Sequence, residues 1–124
     1  IKKSITSKTK CIIVNSPTVV RSYMYPSDLV VSLFKLLLFK NNRQVYNIGS
    51  EQAISLLDLA KKISHFKNNS EVLYKDSADS LTLAGKCYYP NIDRISSEYG
   101  RILTVDLDSA LQKTFSFMNN EGIL

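Results

Sequence analysis

Hydrophobic and polar positions follow two periods along this chain, and the switches between them divide it into short strands and helices. Cys11 to Val14 has the β-branched character of a short strand. Asn15, Ser16, Pro17 and Thr18 then supply turn chemistry before an extended run from Val19 to Tyr25. Pro26 opens a helix predicted from about Ser27 to Lys40, with Asp28 capping its start. Its polar residues Asp28, Ser32 and Lys35 fall at i, i+4 and i+7, a narrow stripe on a cylinder otherwise covered by Leu, Val and Phe. Such a helix must be buried on most sides.

Asn41, Asn42 and Arg43 end that helix, and Val45 to Ile48 reads as a second strand closed by Gly49. Ser55 and Asp58 form a capping-box pattern for a helix over about Leu56 to Phe66. Leu56, Leu59, Ala60, Ile63 and Phe66 share one face of it, while Asp58 and Lys62 make an i,i+4 pair on the other. Glu71 to Tyr74 is a third short strand, and the polar stretch from Lys75 to Lys86 is a loop. Asp93 to Tyr99 is a short helix ended by Gly100. Asp106 caps a last helix to about Met118, with Leu107, Ala110, Leu111, Thr114, Phe115 and Met118 facing inward. The pattern is α/β, with three to four helices and three strands that are too few and too short for an independent doubly wound sheet.

Composition narrows this little. A length of 124 residues suits one domain or a piece of one, and the 44% hydrophobic and 22% charged fractions are those of an ordinary globular chain. The polar start, Ile1 to Ser7, reads as the tail of a helix without an initiator Met, so further sequence is expected upstream. Sixteen Lys and Arg against eleven Asp and Glu give a net charge of +5, which favours anionic ligands without naming one. Cys11 and Cys87 have only His65 for company, so neither a disulfide framework nor a four-ligand zinc site can be argued. The longest apolar stretch, Leu29 to Phe39, is interrupted by Ser32 and Lys35 and is too short for a bilayer. A soluble, cytoplasmic protein with no membrane partner is expected.

The search for catalytic motifs is mostly negative. The four glycines lie too far apart for a dinucleotide fingerprint or a P-loop. A single His leaves one possible base for any triad, and His65 sits near a helix end where a structural role suffices. Asp76 and Asp79 stand in a polar loop with nothing apolar to raise a pKa. None of the seven tyrosines has a lysine four residues later.

What remains is RSYMYPSDLV (Arg21 to Val30), VYNIGSEQAISLLDLAKKIS (Val45 to Ser64), YYPNIDRISSEYG (Tyr88 to Gly100) and the LDSALQKTFSF of the last helix. In order and spacing, these segments resemble the C-terminal part of extended short-chain dehydrogenases/reductases, specifically the NAD-dependent nucleotide-sugar epimerases and dehydratases. The resemblance runs from about Cys11 to Phe117. It implies that residues 1–124 form a single incomplete domain, the small substrate-binding portion without the main Rossmann sheet. NAD and a Tyr-x-x-x-Lys catalytic pair would be supplied by an N-terminal Rossmann half not present here, so this chain alone should be inactive. The parent enzyme is expected to be a homodimer acting on a nucleotide-diphosphate sugar.

By the same resemblance, Arg21 matches the arginine that contacts the substrate diphosphate. A guanidinium suits that task because it presents parallel donors and keeps its charge. Asn47 in VYNIGS matches a position that helps hold the nucleotide in the dehydratase branch. Two departures stand out. The turn before Arg21 reads NSPTVV where relatives usually carry a glycine, and a second phosphate-binding arginine is missing, with Lys86 alone to serve as a point charge. Arg94 and Arg101 suit a helix surface better than a site. A basic nucleic-acid-binding module, using lysines and tyrosines, is the alternative, although Tyr23, Tyr25, Tyr46 and Tyr74 fall where core packing explains them. A truncated remnant whose apolar faces once packed on the missing half is a third reading.

Overall fold

The computed structural model describes residues 11–39, 45–67, 70–75 and 86–122. Within them the elements run β1 (Cys11–Asn15), β2 (Val20–Ser22), α1 (Pro26–Leu38), β3 (Ala53–Ser55), α2 (Leu56–Phe66), β4 (Glu71–Lys75), β5 (Cys87–Tyr88), α3 (Asp93–Tyr99) and α4 (Leu107–Asn120). The predicted loop over residues 76–85, the helix tail at the start of the chain and the Asn41–Arg43 helix end lie outside the described residues.

The strands form two small sheets. β1 and β4 pair in parallel, from Cys11 opposite Glu71 to Asn15 opposite Lys75. β2 is the centre of the other sheet, antiparallel to β3 and parallel to β5. Neither is wide enough to carry a doubly wound core, so among the described residues the fold is α/β without a main sheet.

α2 lies on the β1–β4 pair and buries Leu59, Ala60 and Ile63 against Ile12 and Val14, with Phe115 of α4 closing the cluster. Phe66 stacks on Phe115 with ring centroids 5.1 Å apart. A second cluster gathers Ile92 and Ile95 of the α3 region with Ile102, and Met24, Leu36 and Ile48 pack against it. The caps form as their residue types require. Ser55 Oγ accepts from the Asp58 amide at 3.0 Å and donates to the Asp58 carboxylate at 2.6 Å, and Asp106 accepts from the Ser109 amide at 2.9 Å. Gly100 ends α3 with φ of 74°, a backbone state that glycine adopts without a Cβ clash.

The structure departs from several of these expectations. α1 turns its polar stripe inward: Asp28 is 2% exposed and Ser32 fully buried, whereas Phe34 is 57% and Leu37 75% exposed. The hydrophobic sides of this helix, with Leu29, Val30, Leu33 and Leu38, face away from the rest of the described chain. Asp28 does not cap α1 either. The N-cap is Tyr25, without a side-chain bond, and the Asp28 carboxylate reaches instead to the Thr104 and Val105 amides at 2.9 and 3.0 Å and to the Thr104 hydroxyl. Ser32 Oγ closes the arrangement by donating to the Asp28 carbonyl at 2.6 Å. Val45 to Ile48 is not a strand. The Arg94 side chain donates to the Val45 carbonyl, while Tyr46 and Ile48 pack on the second cluster. Two strands unmarked by periodicity, β3 and β5, flank β2. Lys62 pairs with Asp108 of α4 at 2.6 Å, and Asp58 lies 3.8 Å from Lys61.

Candidate functional site

Arg21 occupies the middle of β2, opposite Ile54 on one side and Tyr88 on the other. Neighbours on both edges fix its backbone, which is what a ligand-binding side chain on a three-residue strand needs. Its Nη1 donates to the Val20 carbonyl at 2.6 Å and the Lys86 carbonyl at 3.2 Å. Those bonds tie the guanidinium to the ends of β2 and β5.

β2 and its exit, the 46–50 segment and the start of the YYPN sequence enclose an open cleft of about 550 Å³. That is within the usual size of a small-molecule site, roughly 300–1,000 Å³. Arg21 and Asn47, both nominated through the family resemblance, line it, together with Tyr46, Ser50, Tyr88 and Tyr89 among others. Arg21 is the one formally charged residue among the described lining residues. Lys86 is not among them. It stands immediately before β5, and its carbonyl accepts from Arg21.

Asn47 Nδ2 donates to the Asn91 carbonyl at 3.2 Å, so its amide also ties the 46–50 segment to the YYPN segment. Tyr46 donates to the Glu98 carboxylate and meets Tyr99 edge-on, centroids 5.6 Å apart. Burial and that carboxylate raise its phenol well above the ordinary value, so it stays a donor. Burial likewise raises Tyr23, with the Arg21 charge opposing. Arg94 and Arg101 donate to the Val45 and Leu103 carbonyls and do not line the cleft. Tyr88 and Tyr89 are both exposed. Their place in the cleft was hidden because a two-residue strand leaves no periodic signal, although the adjoining Pro90 and Asn91 mark a turn.

A second hollow, about 160 Å³, lies between Tyr23, Tyr25, α2 and α4. Its walls are almost wholly apolar, which gives an anion nothing to bind. Among the described residues no group of three or more His, Cys, Asp or Glu is arranged to hold a metal ion. No described helix is long and apolar enough to cross a membrane.

No family model and no curated protein matches the chain. Solved structures do. RMD from Pseudomonas aeruginosa, complexed with NADPH, superposes with a TM-score of 0.76 over 92% of this chain and 37% of its own, at 15% identity. TunA, an NAD-dependent NDP-hexosamine 5,6-dehydratase involved in tunicamycin biosynthesis, gives 0.74 at 17% identity over 91% and 37%. UDP-glucuronic acid 4-epimerase from Bacillus cereus, in complex with NAD, gives 0.70 at 20% identity over 96% and 35%. The chain has the fold of part of an extended short-chain dehydrogenase/reductase. It spans a little over a third of the length of these structures. In this fold the β3–β2–β5 sheet carries Arg21 on its central strand, and Asn47 lines the same cleft.

Proposed function

We propose that the chain is the C-terminal, substrate-binding portion of an NAD-dependent nucleotide-sugar epimerase or dehydratase, and that its cleft holds the nucleotide-diphosphate sugar. The observation that carries this reading is the convergence of Arg21 and Asn47, separated by 26 positions, on one cleft of ligand size. Arg21 is assigned to the diphosphate, because a delocalised cation held on a central strand offers charged hydrogen bonds in a defined direction. Asn47 is assigned to the nucleotide side, and Tyr88 and Tyr89 offer aromatic faces there. Lys86, outside the cleft lining, is left the role of a point charge.

NAD and the catalytic pair belong, on this reading, to a Rossmann half that is not part of these 124 residues. The named neighbours act on or with such compounds: one is a UDP-sugar epimerase with NAD, one an NAD-dependent NDP-hexosamine dehydratase. The outward apolar side of α1 supports the same division, since a contiguous face of Leu, Val and Phe is a docking surface rather than a solvated one. The Rossmann half is the proposed occupant. The full enzyme would be cytoplasmic and dimeric.

Titration with UDP-glucose, dTDP-glucose and GDP-mannose, beside a single-stranded oligonucleotide over a range of salt, tests the reading. Saturable binding of one sugar nucleotide with a shallow salt dependence is expected. Oligonucleotide binding that falls steeply with salt, as release of many counterions dictates, would replace it with the nucleic-acid reading.

A further inference from the structure

One wall of the cleft is built from two segments that share no strand pairing, residues 46–50 and 88–91. Three contacts draw them and their continuations together. Asn47 Nδ2 donates to the Asn91 carbonyl at 3.2 Å, and the Ile92 amide donates to Glu51 Oε1 at 3.2 Å. Between these two bonds Gly49 lies flat against Pro90. A Cβ added to Gly49 would sit 2.6 Å from Pro90 Cγ and 3.4 Å from Cδ, and the first distance is one that real Cβ atoms essentially never show. Gly49 is not in the left-handed region, where Gly100 and Gly122 are, so it is space and not backbone conformation that demands a glycine here.

We propose that Gly49 is a positioning residue for ligand binding. Without a side chain it lets Pro90 seat against the 46–50 segment, and this seating sets the distance between Arg21 and the opposite wall. This rests on the cleft being the nucleotide-diphosphate-sugar site. The proline ring is rigid and cannot swing aside, so any side chain at position 49 must move main chain. On one side that main chain leads directly into Tyr88, which is paired to Arg21; on the other it carries Asn47. A shift in either separates the groups that a long ligand must bridge. A short ligand that meets Arg21 alone should not register it.

The experiment compares wild type, Gly49→Ala, Pro90→Ala and the double variant in the full chain, titrating inorganic pyrophosphate and whichever of UDP-glucose, dTDP-glucose or GDP-mannose wild type binds best. Hydrogen exchange at the Ile92 amide is followed in parallel. Gly49→Ala should weaken the sugar nucleotide about tenfold, the equivalent of one hydrogen bond, and leave pyrophosphate unchanged. It should also speed exchange at Ile92. Pro90→Ala in the same chain removes the ring carbon that the new Cβ would strike, so the double variant should recover both. Wild-type affinity in Gly49→Ala overturns the proposal and leaves the cleft's function standing. A Gly49→Ala chain that loses binding or unfolds, with no recovery in the double variant, overturns it as well. A wild type that binds none of the sugar nucleotides removes the underlying reading, and the proposal with it.

Discussion

The Asp28 carboxylate is a structural clamp, and shortening it should cost far more than neutralising it. It is 2% exposed and accepts from the Thr104 amide at 2.9 Å, the Val105 amide at 3.0 Å and the Thr104 hydroxyl. Taken singly, bonds to a charged acceptor contribute about 1.5–3 kcal/mol each. They do not add, and Thr104 is exposed enough for water to reach part of what is freed. Asp28→Ala should therefore destabilise by about 3 kcal/mol, the lower end for breaking a buried charged network through one partner. Asp28→Asn keeps the shape: one amide oxygen can accept from both backbone amides, as Oδ2 does now, while the NH2 donates to a rotated Thr104 hydroxyl. Its cost should be about 1 kcal/mol, the difference between charged and neutral acceptors. For a domain of this size each kcal/mol moves Tm by roughly 3–5 °C, so about 10–15 °C separates Asp28→Ala from wild type. Thermal and urea denaturation of the full chain read both variants, and equal losses in Asn and Ala, or a change below about 2 °C in Ala, would refute the reasoning.

The same clamp carries a pH dependence. Burial alone would raise the Asp28 carboxyl, but the Thr104 and Val105 bonds, helped by the Arg101 charge, outweigh it and hold it below the ordinary 3.8. A depressed folded value means the stabilisation is complete above the unfolded-chain pKa, near 4, and is lost as pH falls through the lower folded one. The stability gap between wild type and Asp28→Asn should therefore shrink on acidification below about pH 4, as urea midpoints taken across that range would show. On α1, Phe34→Asp with Leu37→Asp should leave the Tm of the 124-residue chain nearly unchanged, because both side chains are already exposed, and should reduce its self-association in sedimentation. A large loss of Tm would mean that this face is packed within the chain itself. Ser55→Ala, which removes the cap of α2, should cost about 1 kcal/mol, whereas Lys62→Ala, which breaks an exposed ion pair with Asp108, should cost under about 1 kcal/mol.

How much of this was legible depended on how local the deciding physics is. Ser55 and Asp106 announce their helices because a cap is made by residues three apart, and Gly100 ends α3 for an equally local reason. α1 shows the opposite case. Its amphipathic pattern was plain, but period alone does not say which face turns inward, and here the buried stripe is the polar one, Asp28 and Ser32, against the rule that polar means outward. Asp28 illustrates the same limit: a carboxylate at the start of a helix looks like a cap, and its true partners lie 76 and 77 positions away. β3 and β5 are too short for alternation to register, and they exist because β2 offers two free edges. Val45 to Ile48 has strand residues but pairs with no strand among the described residues. Arg21 and Asn47 were nominated from their sequence context and both line the cleft, whereas the Gly49–Pro90 contact depends on a tertiary approach that no spacing records.

The central claim is that Arg21 holds a diphosphate in this cleft, and the most direct measurement is calorimetric titration of the best-bound sugar nucleotide into wild type, Arg21→Lys and Arg21→Ala, with the corresponding nucleoside as control. Arg21→Ala should lose about 10- to 150-fold in affinity, the equivalent of about 1.5–3 kcal/mol for a charged hydrogen bond, and Arg21→Lys should recover part of it because it restores charge without the planar fork. Nucleoside affinity should be indifferent to all three side chains. Unchanged sugar-nucleotide affinity in Arg21→Ala, with its melting temperature intact, would contradict the account.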